Sequence, residues 1–219
     1  MDVFSRLRAA AASEWAEYVE HEFVRQLQTR ELPEAAFRAY LVQDYLFLIQ
    51  FARAYALAVY KGRTLADMRA AQAGLSAILD VEMDLHVRLS GRWGLSVADL
   101  EAAPERAATI AYTRFVLDCG ASGDLLDLHV ALAPCVIGYA EIATRIASQE
   151  TATLSEHPYR EWIMEYSGEP YALVAASARL HLDHLAARSM TEQRFTELAA
   201  LFGKASRLEA DFWQMALDS

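Results

Sequence analysis

No stretch of this chain alternates apolar and polar residues with the period of two that a half-buried strand requires. Apolar residues recur instead at spacings of three and four from end to end. Alanine, leucine, glutamate and arginine, all good helix formers, dominate. Gly 9 and Pro 5 in 219 residues are too few to turn a many-stranded fold. The pattern predicts helices near 2–29, 34–61, 64–91, 105–120, 122–149, 158–167, 170–188 and 191–217. Pro33 suits the start of the second helix, and Gly62 follows its last apolar position. Ser122-Gly123, His157-Pro158 and the run from Ser167 to Pro170 mark short connections. With no internal repeat and no linker, the expectation is one all-α domain over residues 1–219. It would be a helical bundle with several helices too apolar for the surface.

Charge narrows the function. The formal net charge of −10 disfavours nonspecific binding to phosphate backbones, and the arginines form no cluster that would reverse this. Nucleic acid is therefore not an expected partner. The N-terminal segment is charged and amphipathic, without the basic region, apolar stretch and cleavage site of a secretory signal. No apolar run is read as approaching the roughly 18 residues needed to cross a bilayer. Cys119 and Cys135 have no metal-binding spacing, and their simplest state is reduced, in a cytoplasm.

Candidate functional residues are polar groups that interrupt apolar stripes. Phe37, Leu41, Asp44, Leu48, Phe51 and Tyr55 share a face of the second helix, with Asp44 in the middle. An ionised carboxylate buried alone is very costly, so Asp44 must be paired, protonated or turned to a polar cavity. The last helix places Glu209 in the same way among Leu198, Phe202, Ala205, Phe212 and Ala216. In the stretch ALAPCVIGYAE, residues 131–141, Cys135 and Tyr139 are one turn apart on a face with Leu128, Leu132, Ile142 and Ile146. Pro134 cannot donate to Val130, so a kink is expected beside the thiol. Tyr112, spaced with Ala108, Phe115 and Cys119, is a further inward phenol. Each residue also has a plainer reading: a buried ion pair to Arg or Lys for an acid, a small hydrophobe for a thiol, core packing for a phenol. Their coincidence suggests instead that the sulfur, both carboxyls and the rings border one hollow.

Several stretches together resemble the TenA/thiaminase II family: LPEAAFRAYLVQDYLFL (32–48), EMDLH (82–86), LAPCVIGYAEI (132–142), WIMEYSG (162–168) and LEADFWQMA (208–216). The resemblance implies a heme-oxygenase-like helical fold, a homotetramer, and hydrolysis of aminopyrimidines in thiamin salvage without metal or organic cofactor. It implies release of 4-amino-5-hydroxymethyl-2-methylpyrimidine from its aminomethyl analogue, and more slowly from thiamin. By position, Cys135 would be the nucleophile, which places the chain in the cysteine-containing branch. Glu209 would protonate the leaving amine, and Asp44 would bind the ring nitrogen and exocyclic amine. Tyr112, Tyr139 and Tyr166 would line the pocket. Some family members carry tyrosine where this chain has Phe47; stacking would survive and a hydroxyl contact would be lost.

Two enzyme-like alternatives use other residues. A di-iron oxidase on the same fold would draw on Glu82, His86, Glu141, His181 and His184. A heme protein would use His21. A pyrimidine-binding or regulatory protein without turnover would keep Asp44 and the aromatics but would not need Cys135.

Overall fold

A computed structural model describes residues 1–149 and 154–219. Among them every regular element is helical. In chain order the α-helices are α1 (Val3–Ala10), α2 (Ala12–Val19), α3 (Glu22–Thr29), α4 (Glu34–Lys61), α5 (Leu65–Ala77), α6 (Met83–Gly91), α7 (Val97–Ala102), α8 (Ala107–Ser122), α9 (Leu125–Gln149), α10 (Arg160–Ser167), α11 (Glu169–Ser189) and α12 (Glu192–Leu217). The chain forms two compact units. One comprises Met1–Leu32 and His129–Trp213; the other comprises Pro33–Leu128 and Gln214–Ser219.

In the first unit, the expected helix 2–29 is three helices. The chain leaves helical geometry at Ala11 and again at Glu20–His21. Apolar residues keep the helical period across both breaks, and neither break carries glycine or proline, so the sequence offered no punctuation. Packing imposes the bends. They turn Phe4 and Trp15 toward each other, ring centroids 5.4 Å apart, and stack Trp15 on Phe202 of α12 at 5.5 Å. Each of these fully buried rings contributes about 1.5–3 kcal/mol. Asp2 caps α1 by accepting from the Ser5 amide at 2.8 Å and pairs with Arg179 of α11 at 2.5 Å. Asp183 of α11 accepts from the Val3 amide at 2.7 Å. At the other end, His157 donates from Nε2 to the Leu27 carbonyl at 3.1 Å. Its Nδ1 accepts from the Tyr159 amide at 3.1 Å, which fixes its tautomer.

The second unit is organised by α4, whose apolar residues surround its axis because α5, α6, α7 and α8 all pack on it. Two features here depart from the sequence expectation. The segment expected as one helix, 64–91, contains a π-helical turn over Ile78–Glu82 between α5 and α6. Helix α7 was not expected at all. Ser96 and Asp99 start it with a reciprocal capping box, and Leu100 packs with Tyr45 and Leu46 of α4.

Helix α9 also corrects the reading of apolar runs. Leu125–Gln149 is long and apolar enough to span a bilayer by length and composition, but 83% of its most apolar window is buried inside the protein. It runs as one helix with Pro134 inside it.

Candidate active site

The expected site residues divide between the two units. Asp44, Phe47 and Tyr112 belong to the second; Cys135, Tyr139, Tyr166 and Glu209 belong to the first. All are buried.

Asp44 and Phe47 lie one turn apart on α4. Phe47 meets Tyr112 of α8 with centroids 4.9 Å apart and Phe51 at 5.0 Å. Asp44 has partners that the sequence reading did not assign. Tyr40, one turn earlier on α4, donates its hydroxyl to Asp44 Oδ2 at 2.8 Å. His86 of α6 places Nε2 2.6 Å from the same oxygen, while its Nδ1 lies 2.8 Å from the Glu82 carbonyl. A carbonyl only accepts, so Nδ1 carries hydrogen. A single proton then lies between Nε2 and Oδ2. Burial disfavours charge on His86, but the Asp44 carboxylate and its hydrogen bond outweigh that and raise the imidazole pKa above its ordinary 6.5. Among the described residues no hydrogen bond reaches Asp44 Oδ1. The acid expected to pair with Arg or Lys, or to be left to a ligand, is thus half committed to a histidine.

On α9, Cys135 and Tyr139 are one turn apart and buried. Tyr139 lies against Tyr166 of α10 at 5.1 Å and against Trp213 of α12 at 5.4 Å. Trp162 lies 5.8 Å from Tyr139 and 4.9 Å from Tyr166. Glu209, 1% exposed, sits one turn before Trp213 on α12. Behind the cysteine, Tyr18 of α2 donates to the Pro134 carbonyl at 3.4 Å and stacks on Trp213 at 6.2 Å. Gly138 makes room for it: a Cβ there would lie 2.3 Å from the Tyr18 ring.

His86 and Tyr40 were legible in part. Tyr40 stands four residues before Asp44, the spacing that brings side chains together on a helix. His86 lies in EMDLH, where its spacing from Glu82 suggested a metal pair. The structure uses the Glu82 backbone carbonyl instead. Nothing in the sequence signalled Trp162 or Trp213 as partners of Tyr139 except their presence in the WIMEYSG and LEADFWQMA stretches.

Among the described residues the di-iron candidates do not come together as a ligand set. Glu141 accepts from Arg8 at 3.0 Å and Trp15 Nε1 at 3.4 Å. Among the described residues no group of three or more His, Cys, Asp or Glu could hold a metal ion. His21, the heme candidate, accepts from the Phe23 amide through Nδ1 and starts α3.

The fold sets the class: among the described residues every regular element is helical. A solved protein from Shewanella denitrificans described as heme oxygenase-like shares the fold, with a TM-score of 0.75 at 12% identity over 98% of this chain and 92% of that one. A model of the TENA/THI-4/PQQC family matches residues 8–219, and the chain belongs to that family. It is 40% identical over 206 residues to an uncharacterized Haemophilus influenzae protein, covering 93% of this chain and 94% of that one. It is 37% identical to the aminopyrimidine aminohydrolase of Halalkalibacterium halodurans, covering 92% and 89%. A solved structure described as a TenA family transcription regulator, from Silicibacter sp. TM1040, is 43% identical with a TM-score of 0.93, covering 99% of this chain and 97% of that one.

Proposed function

We propose that this protein is an aminopyrimidine aminohydrolase of thiamin salvage, a hydrolase of C–N bonds. The carrying observation is the Asp44 group: a buried carboxylate with one oxygen fixed and one uncommitted, a turn away from the paired rings of Phe47 and Tyr112. A flat aminopyrimidine asks for this chemistry. Rings bind its faces, and a carboxylate accepts from its exocyclic amine. The 37% identity to a curated aminohydrolase supports the reading.

The substrate is 4-amino-5-aminomethyl-2-methylpyrimidine, with thiamin turned over more slowly. Cys135, which places the chain in the cysteine-containing branch, attacks as a thiolate and forms a covalent adduct to the pyrimidine. The C–N bond of the aminomethyl group breaks as Glu209 delivers a proton to the departing amine, while the ring amine stays in place. Water then adds, the cysteine is released, and the products are the hydroxymethylpyrimidine and ammonia. Tyr139 and Tyr166 line the pocket beside the thiol, and Tyr112 and Phe47 hold the ring. No metal or organic cofactor enters this reaction. The family match spans both compact units, which supports a single catalytic domain over residues 1–219. The protein works as a cytoplasmic homotetramer; exposed Leu173 and Leu180, two turns apart on α11, supply apolar surface for assembly.

The test is ammonia release from the aminomethylpyrimidine by wild type and Cys135→Ser. Turnover by wild type and its collapse in the variant is expected. Equal rates would exclude Cys135 as nucleophile, and no release by wild type would reject the reaction. The transcriptional description of the Silicibacter relative concerns that protein; here the charge of −10 favours a small-molecule substrate over DNA.

A further inference from the structure

His86 is wholly buried and contacts Asp44 at 2.6 Å. An imidazole in that position is costly to bury unless both nitrogens are satisfied, and both are. Its placement depends on an irregularity. The π-helical turn Ile78–Glu82 inserts one extra residue before α6. One residue rotates everything after it by about 100° around the helix axis. Without the turn, the face of α6 that carries His86 would point elsewhere. π-turns of this kind are frequent at functional sites.

We propose that His86 is the positioning residue for Asp44: with Tyr40 it occupies Oδ2, leaving Oδ1 as the acceptor for the exocyclic amine of an aminopyrimidine. This rests on the reading of the protein as an aminopyrimidine hydrolase and adds to it a specificity device. A carboxylate oxygen offers about two acceptor sites, and two donors already point at Oδ2. The carboxyl group is thereby held in one rotation, and the substrate edge is read through one oxygen rather than two. The titratable groups that face His86 are Asp44 and Tyr40 from α4 and Glu82 from its own side. No proton need leave the pair for substrate to bind. Loss of the imidazolium proton would set the Nε2 lone pair against Oδ2, and the carboxyl group would then turn away.

Two experiments test this. The first measures kcat and KM for ammonia release from the aminomethylpyrimidine between pH 6 and 9, for wild type, His86→Gln and His86→Ala. Glutamine still donates to Oδ2 but does not titrate. His86→Ala is expected to raise KM by about 10–100-fold, the worth of a hydrogen bond to a charged group, with a smaller fall in kcat. Wild-type KM should rise toward the alkaline end, and His86→Gln should remove that rise. KM unchanged in His86→Ala, or the same alkaline rise in His86→Gln, overturns the proposal. The second records nitrogen NMR of the His86 ring in the substrate-free protein. At pH 6.5, the ordinary histidine value, Nε2 should be mostly protonated in wild type, because the Asp44 carboxylate raises the pKa, and its proton should be lost in Asp44→Asn. A bare Nε2 in wild type overturns the proposal even if every variant is inactive. Absence of ammonia release by wild type, together with the expected NMR result, would instead reject the hydrolase reading and leave the His86–Asp44 pairing standing.

Discussion

Asp44 and Cys135 are both buried on long inner helices, yet their surroundings have little in common. Asp44 is held by hydrogen bonds from Tyr40 and His86, groups that arrive from two helices and meet at one oxygen. Cys135 stands next to a layer of rings: Tyr139 with Tyr166 and Trp213, and Tyr18 against Gly138 and Trp213. Directional bonds fix the rotation of a carboxyl group, which recognition of an amine requires. Close packing fixes the backbone under a thiol, with Tyr18 filling the space beside Gly138. The first arrangement is sensitive to protonation and to single atoms. The second is sensitive to volume.

The largest expected effect tests the chemical side of that contrast. Cys135→Ser replaces sulfur by a far weaker nucleophile of similar size. It should lower kcat by about a thousandfold or more, with thermal stability close to wild type. A drop in Tm comparable to that of a core deletion would show instead that Cys135 is a packing residue.

Volume is tested next. Gly138→Ala would place a Cβ 2.3 Å from Tyr18 Cε1 and 2.6 Å from the Tyr18 hydroxyl oxygen. Tyr18 is fully buried and stacked on Trp213, which in turn stacks on Phe23 at 4.7 Å, so it has nowhere to retreat. Overpacking of this kind costs about 1–3 kcal/mol, or roughly 2–4 °C in Tm for each kcal/mol in a chain of this size. A thermal melt equal to wild type would refute the claim that Tyr18 packs on Gly138.

These two regions also differ in how far they could be read from the sequence. The stripe of α9 was legible because a helix repeats every 3.6 residues and its interior face is uninterrupted; Leu128, Leu132, Cys135, Tyr139, Ile142 and Ile146 are all buried as expected. The corresponding stripe of α4, with Asp44 at its centre, was equally legible. Partners 42 residues away were not. Whether His86 faces α4 depends on the π-helical turn, and a one-residue insertion has no composition signal within an otherwise helical run. The breaks at Ala11 and Glu20–His21 escaped for the same reason: tertiary packing of Phe4 and Trp15 bends a pattern that is locally continuous. Helix α7 was within reach, since Ser96 and Asp99 have capping-box spacing, but six residues are too few to show a period.

Directional bonding is tested by Tyr40→Phe, a change that keeps the ring and removes one donor to Asp44. The oxygen still has His86, so the loss should be about 1 kcal/mol in stability, below that of Gly138→Ala. Its effect on KM should exceed its effect on kcat, because the carboxyl group is loosened and the thiol is untouched. A larger fall in kcat than rise in KM would place Tyr40 nearer the reacting atoms than the geometry does.

The smallest expected effect is a slope of stability with pH, and it separates the two regions most cleanly. His86 has a folded-state pKa raised above the ordinary 6.5. The folded protein therefore holds its proton more tightly than the unfolded chain does. The stabilisation is fully present below the ordinary histidine value and is lost as pH rises through the folded one. Wild-type Tm should decline across that alkaline window, and His86→Gln should flatten this component because glutamine does not titrate. Gly138→Ala should lie below wild type by a nearly constant amount over the same range, since no charge is involved in the contact it disturbs. A Gly138→Ala deficit that grew or shrank with pH would mean that the packing beside Cys135 depends on protonation after all, and the contrast between bonded and packed surroundings would fail. An unchanged slope in His86→Gln would mean that the proton between Nε2 and Oδ2 contributes nothing to the folded state.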